Sequence, residues 1–315
     1  MRRHHLTLAA GSVALSLSGE QSVNGDDDHM DLSGVGVWSS QLRYGNPDEA
    51  AEAAAELDDL GFTALWIPDA GGPVLDSVDL LLASTKQVVI ATGILNLWMH
   101  EPSDVAVRYA SLTKTHGDRF LLGIGCSNAA LVDSLEPGRF RKPLAATRSF
   151  LDDLDAAEQP VPVENRVLAA LGPKMLELAA TRARGAHPYL GTADDTRQAR
   201  EALGDGPLLL PELTVVLTED RAEARAIGSD WLRAYIGLPN YGNRLLRSGF
   251  TADEVSSVSD RVFDAIIAWG DEKAVLRRVN EHRAAGADHV CVQVLTADQA
   301  EFPREQWRRL ATALL

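Results

Sequence analysis

The sequence predicts an α/β fold, a single (β/α)8 TIM barrel with inserted helices between strands seven and eight, and three observations carry that expectation. From residue 33 onward, short apolar or β-branched runs alternate with amphipathic segments, the mark of βα units around a parallel sheet. Eight such runs can be counted, each too apolar for a strand with one wet face and suited to burial on both. No G-x-G-x-x-G loop follows the first strand, where an open doubly wound sheet usually carries its phosphate loop.

The first strand is GVGVWS (34–39). After it, Asn46-Pro47 reads as a cap and first-turn proline, Ala50, Ala54 and Leu57 share one helix face, and Gly61 ends that helix. Strands two to four are ALWIP (64–68), KQVVIATG (86–93) and RFLLGIG (119–125), with a helix from Pro102 to His116 between the last two. RVLAAL (166–171) and AHPYL (186–190) lead into the helices GPKMLELAATRA and DDTRQAREAL as strands five and six. LTVVLT (213–218) is the seventh. The stretch 219–287 carries inserted helices and the loop LPNYGN, and HVCVQVL (289–295) precedes the closing helix FPREQWRRLATALL. The glycines of GIGCSN (123–128) are only a fragment of a dinucleotide fingerprint, and a barrel interior that tolerates small residues accounts for them.

Composition narrows the partners. Of the 315 residues, 45 are acidic and 30 basic, a net charge of −15 that disfavours nucleic acid and anionic membranes. The densest basic group, Arg139, Arg141 and Lys142, is too small for a polyanion stripe. No apolar run reaches the roughly 18 residues of a membrane span. With 2 cysteines and 8 histidines in no metal-ligand spacing, neither a disulfide framework nor a metal is expected, and a reducing, cytoplasmic setting follows. Residues 1–30 stand apart from the domain at 31–315. Arg2 and Arg3 before LTLAAGSVALSLSG outline a twin-arginine or secretory leader, which would mean export, and a non-native extension reads equally well.

A barrel builds its active site at the C-terminal ends of its strands. Those ends hold Trp38, Ser39, Asp69, Asn96 to His100, Ser127, Asn128, Gly172 to Lys174, His187 to Tyr189 and Gln293. The set lacks a dense carboxylate or histidine cluster, which argues against a metal hydrolase or a two-carboxylate glycosidase, and no G-x-S-x-G elbow occurs. Hydride or electron chemistry on a cofactor fits a flat apolar cleft with few ionisable groups. In LGPK, Gly172 permits close backbone approach, Pro173 fits a first helical turn whose free N–H groups attract anions, and Lys174 adds charge.

ATGILNLWMHEP, RFLLGIGCSNAALV, ALGPKMLELAATRARGAHPYL, YIGLPNYGN and HRAAGADHVCVQVL resemble successive blocks of the luciferase-like monooxygenase superfamily, above all its actinobacterial branch of coenzyme F420-dependent oxidoreductases. The similarity runs from about Met30 to the C-terminus. It implies a bulge, often with a non-prolyl cis peptide, at Gly93-Ile94 against the cofactor ring. It places the phosphate-bearing tail at Leu171, Gly172 and Pro173, and because a net acidic protein holding a polyanionic tail needs a local basic answer, Lys174, Arg139 and Arg141 are the candidates for it. The resemblance puts Asp69 beside the ring and Leu238 to Asn243 as a mobile lid, and the aromatic faces of Trp38 and Trp98 are read as candidate walls for the ring. Asn128 departs from the histidine or glutamate that relatives carry as proton donor. Asparagine cannot serve so, and His100, at the end of the bulged strand, becomes the candidate acid. The implied activity is hydride transfer between coenzyme F420 and a small organic substrate. Two alternatives stay open: an FMN-dependent monooxygenase, and a non-redox barrel for binding or cyclase-like chemistry. A homodimer through barrel helices is also left open.

Overall fold

Parallel strand segments β1 (Val35–Trp38), β2 (Ala64–Ile67), β3 (Val89–Thr92), β4 (Leu95–Asn96), β5 (Phe120–Gly125), β6 (Arg166–Leu168), β7 (Gly185–Ala186), β8 (Leu208–Leu209), β9 (Glu212–Val216), β10 (Ala268–Trp269) and β11 (Val290–Val294) organise the chain. They come from a computed structural model that describes residues 30–315, so the leader expected over 1–30, apart from Met30, lies outside the described residues. The order across the sheet is β10-β9-β11-β1-β2-β3-β5-β6-β7-β8, with β4 beside β5.

Two strands of this barrel are each split in two. β3 and β4 are halves of one strand interrupted at Gly93 and Ile94, and both pair with β5. β8 and β9 are halves of another, separated only by Leu210 and Pro211. β8 pairs with β7 while β9 pairs with β11, so the segment 208–216 closes the sheet on itself. Leu210 N–H donates to Ala186 O at 2.9 Å, and on the other side Cys291 N–H donates to Pro211 O at 3.1 Å. Counted this way there are eight barrel strands, and β10 is a two-residue addition outside β9. The seventh strand therefore starts at Leu208, ahead of the run LTVVLT that marks it in the sequence. Pro211 reads as a strand breaker, yet it sits where the chain changes partners and its missing N–H is not needed.

Alternate side chains separate two apolar layers. Ala64, Trp66, Ala91, Leu121, Val167 and Cys291 fill the barrel interior, while Leu65, Ile67, Ile90, Phe120 and Leu122 face the surrounding helices. Each fully buried Leu or Ile contributes about 1.5–3 kcal/mol through lost water contact. The helix Pro47–Leu60 starts as its sequence suggests: Asn46 accepts from the N–H of Asp48 and Glu49, Pro47 takes the first position, and Gly61 ends it at φ 96°.

Between β9 and β11 lie the inserted helices Arg221–Ile236, Pro239–Arg247, Ala252–Ser257 and Asp260–Ile266, followed by Glu272–Ala284. The first four share a small apolar core with Leu190 and Leu295 at the barrel mouth, built on Leu232, Phe263 and Ile266. LPNYGN, expected as a loop, instead begins a helix, because Pro239 at the first position suits a helix start and outweighs the local turn content. No helix among the described residues is long and apolar enough to cross a membrane.

Candidate active site

The interruption of the third barrel strand shapes the mouth. The peptide bond Gly93–Ile94 is cis, at the place where the family resemblance puts a bulge. A Cβ on Gly93 would lie 2.6 Å from Trp38 Nε1 and 3.2 Å from His187 Nε2, so no other residue fits without displacing both. Trp38 Nε1–H donates to Gly93 O at 3.2 Å, which fixes the indole against the bulge. The neighbouring strand supplies the room. A Cβ on Gly123 would fall 1.9 Å from Thr92 O, and one on Gly125 2.6 Å from the Ile94 side chain. The glycines of GIG are thus a seat for the bulge, not a phosphate loop.

Above the bulge opens a cavity of about 520 Å³. Its walls come from most of the strand ends: Trp38 after β1, Asp69 after β2, Gly93 and Ile94, Cys126 to Asn128 after β5, Ala169 to Gly172 after β6, and His187 and Tyr189 after β7. Tyr235, Asn240 and Tyr241 of the inserted helices form its cover. Among the described residues, Asp69 is the lone formal charge in these walls, and no lysine or arginine lines them.

His187 is 2% exposed and stacks on Trp66 with ring centroids 4.3 Å apart. Its Nδ1–H donates to Leu210 O at 2.7 Å, leaving Nε2 as an acceptor with no partner among the described residues at the cavity floor. Burial holds its pKa down at about 4, so the ring is neutral at physiological pH.

Asp69 is buried but fully engaged. Its Oδ1 accepts from Gly71 N–H at 3.1 Å, and its Oδ2 accepts from Asn96 N–H at 3.1 Å and from His100 Nε2–H at 2.7 Å. His100 stands behind Asp69 and is not part of the cavity wall. Asn128 lines the cavity while its Oδ1 caps the helix Ala129–Leu135 through Leu131 N–H at 3.0 Å. Leu171 and Gly172 line it too, Pro173 faces an adjoining smaller cavity, and exposed Lys174 borders neither. Trp98 donates to Cys126 O at 2.9 Å behind the wall. Arg139 pairs with Glu136 on the surface, and it, Arg141 and Lys142 stay outside the walls.

Sequence reasoning missed several residues. Phe140, in the loop ahead of the helix Pro143–Asp155, Met175 on the helix Pro173–Arg182 and Tyr235 on the first inserted helix line the cavity with no local signal naming them, whereas Tyr241 falls within the stretch 238–243 expected as a lid. Below the cover, Tyr189 O–H donates to Gln293 Oε1 at 2.7 Å, and fully buried Glu212 accepts from Leu190 N–H at 3.0 Å and Thr214 Oγ1–H at 2.6 Å. That carboxyl group steadies Leu190 at φ 61°, a left-handed backbone uncommon for leucine. Burial pushes the Glu212 carboxyl up to about 7. The mark it leaves in the sequence is a single charge at the head of the apolar run ELTVV.

The site as a whole suits a flat, largely neutral ring: apolar and aromatic walls, one unpartnered neutral imidazole acceptor, and a carboxylate held by backbone donors.

The comparisons with known proteins agree with this architecture. The profile described as luciferase-like monooxygenase matches residues 29–289. A Mycobacterium tuberculosis protein named "Putative coenzyme F420-dependent oxidoreductase" is 25% identical, over 86% of this chain and 96% of its own length. Among solved structures, an F420-dependent secondary alcohol dehydrogenase in complex with an F420-acetone adduct superposes with a TM-score of 0.67 at 15% identity, covering 90% of this chain and 98% of that one. The oxygenating constituent of 3,6-diketocamphane monooxygenase from Pseudomonas putida, in complex with FMN, gives 0.65 at 14% identity, covering 90% and 96%.

Proposed function

This chain belongs to the luciferase-like monooxygenase family, and from that premise we propose that it is an oxidoreductase taking coenzyme F420 at its barrel mouth and moving hydride between that coenzyme and a small organic substrate. The observation that carries the reading is the cavity itself: apolar and aromatic walls around Ile94 and the side-chain-free Gly93, held by Trp38, with no cationic side chain among the described lining residues. The relative named for coenzyme F420 matches 86% of this chain, which favours the deazaflavin over FMN.

The residues fit such a ring on a further count. The orphaned Nε2 of His187 is a buried acceptor at the cavity floor, and the pyrimidine edge of a deazaflavin offers an N–H donor. When bound, the coenzyme supplies the hydride chemistry. The chain's own residues bind, orient and exclude water. Trp38 and Ile94 support the ring face, and Leu171, Gly172 and Pro173 receive the tail at the start of the helix Pro173–Arg182, with Lys174 adding charge nearby. Tyr189, Tyr235 and Tyr241 exclude water from above. Asp69 accepts from His100 Nε2–H and orients the imidazole, so that His100 would deliver a proton to the substrate by way of this pair, while Asn128 serves as a polar contact.

Equilibrium dialysis of the protein against equal concentrations of coenzyme F420 and FMN, with the retained cofactor identified by mass spectrometry after denaturation, tests this assignment. Retention of F420 supports it. Retention of FMN alone transfers the protein to the monooxygenase reading, and retention of neither sinks the cofactor argument.

A further inference from the structure

Beside the ring-sized cavity lies a second one of about 210 Å³, bounded by Pro173, Asp195, Arg244, Arg247 and Ser248. Both cavities are lined by Ala170 and Leu171, so they meet just past the end of β6. Their chemistry differs sharply. The larger has no cation in its walls, whereas the smaller has two arginines against one aspartate.

Arg244, on the helix Pro239–Arg247, is 5% exposed. Its Nη1 donates to Tyr189 O at 3.0 Å, which docks that helix on the barrel, but Nε and Nη2 have no partner among the described residues. These two nitrogens form one side of the guanidinium, the side whose parallel N–H bonds take both oxygens of a carboxylate or phosphate. A buried cation with that side unpaired is unfavourable until an oxyanion arrives. Asp195 does not fill the role. Its Oδ2 stands 3.7 Å from Nε, beyond hydrogen-bond range, and already accepts from Thr192 N–H and Oγ1–H at 2.9 Å each. Its Oδ1 accepts from Ser248 Oγ–H at 2.8 Å. Arg247, one turn along and exposed, adds a second positive charge at the rim.

We propose that the Arg244 cavity is an oxyanion subsite, which takes a phosphate or carboxylate carried by a ligand whose flat neutral part occupies the adjoining cavity. The subsite rests on the reading of that larger cavity as a ring site only for what the anion is attached to. The anion itself can be tested alone.

Inorganic phosphate is titrated into the full chain against potassium chloride of equal ionic strength, following the melting temperature and the Nε–H signals of the arginines by NMR. Phosphate is expected to stabilise the protein saturably and to shift one buried arginine signal. Arg247→Gln, at an exposed position, should weaken phosphate severalfold, and Arg244→Gln should abolish the response. Asp195→Asn, which keeps an oxygen for the helix cap, should tighten phosphate severalfold. A response equal to that of chloride, or one that both arginine substitutions leave unchanged, overturns the subsite. The source of the anion is read by repeating the titration with coenzyme F420 and with its tail-less deazaflavin head. Competition by phosphate against F420 alone assigns the subsite to the coenzyme tail, and simultaneous binding assigns it to the substrate. If neither deazaflavin binds while phosphate does, the cofactor reading fails and the subsite stands.

Discussion

Asp69 Oδ2 and His100 Nε2 lie 2.7 Å apart, the oxygen wholly buried and the imidazole 18% exposed. The same carboxylate accepts the backbone N–H groups of Asn96 and Gly71, so it joins the turn after β2 to the far half of the split third strand. Removing it strands three donors at once. Asp69→Ala should cost about 2–4 kcal/mol, the penalty of leaving buried donors unpaired, measured by urea unfolding. His100→Gln keeps a donor for Asp69 and should leave stability within about 1 kcal/mol. If His100 holds the transferred proton, that substitution removes one limb of the pH–rate profile without weakening cofactor affinity, and an unchanged profile would exclude the role.

Two glycines separate fold from binding. Gly123→Ala drives a Cβ to 1.9 Å from the Thr92 carbonyl, and overpacking of this kind costs about 1–3 kcal/mol or more. A Cβ on Gly172 would meet no atom within 4 Å, and its φ of −133° is extended, so Gly172→Ala should fold normally. Its effect is expected on tail binding alone, as a raised Kd with an unchanged Tm.

Acid should destabilise the protein steeply through its buried histidines. Burial depresses His187 and His282 to about 4 and His289 to about 3, below the ordinary 6.5. Their neutral forms stabilise fully above 6.5, and this contribution is lost as pH falls through the depressed values. Glu212 runs the other way: raised to about 7, its contribution is full below its ordinary 4.5 and is lost as pH rises through 7. Between about pH 4.5 and 6 the unfolded chain takes up a net of roughly two more protons, so stability should fall by about 3 kcal/mol per pH unit. Chemical denaturation at pH 6 and pH 5 reads this directly, and a flat profile would contradict the neutral histidines.

How much of the fold and site is legible in the sequence depends on whether the information is local. Runs such as ALWI and FLLGIG announce buried parallel strands because every residue is apolar or small. The bulge at Gly93 and Ile94 is different: its need for glycine arises from Trp38 and His187, far away in the chain, and family resemblance, not pattern, points to it. The start of the seventh strand at Leu208 is hidden by Pro211. Tyr241 falls within the stretch 238–243 that the family resemblance marks as a cover, but Tyr235 is invisible as a cavity residue because its helix states its own amphipathicity and not where it docks. Arg244 belongs to the same class, since its burial depends on the Tyr189 carbonyl 55 residues earlier.

The central claim is that the Gly93 face receives a deazaflavin ring. Fluorescence titration of coenzyme F420 into the wild-type chain and into Gly93→Val, each first shown to be folded by circular dichroism, tests it most directly. The account predicts saturable binding by the wild type and at least roughly tenfold weaker binding by Gly93→Val, because the added methyl groups meet Trp38 and His187 where the ring face must lie. No saturable binding by the wild type, or equal affinity in the two proteins, would contradict it.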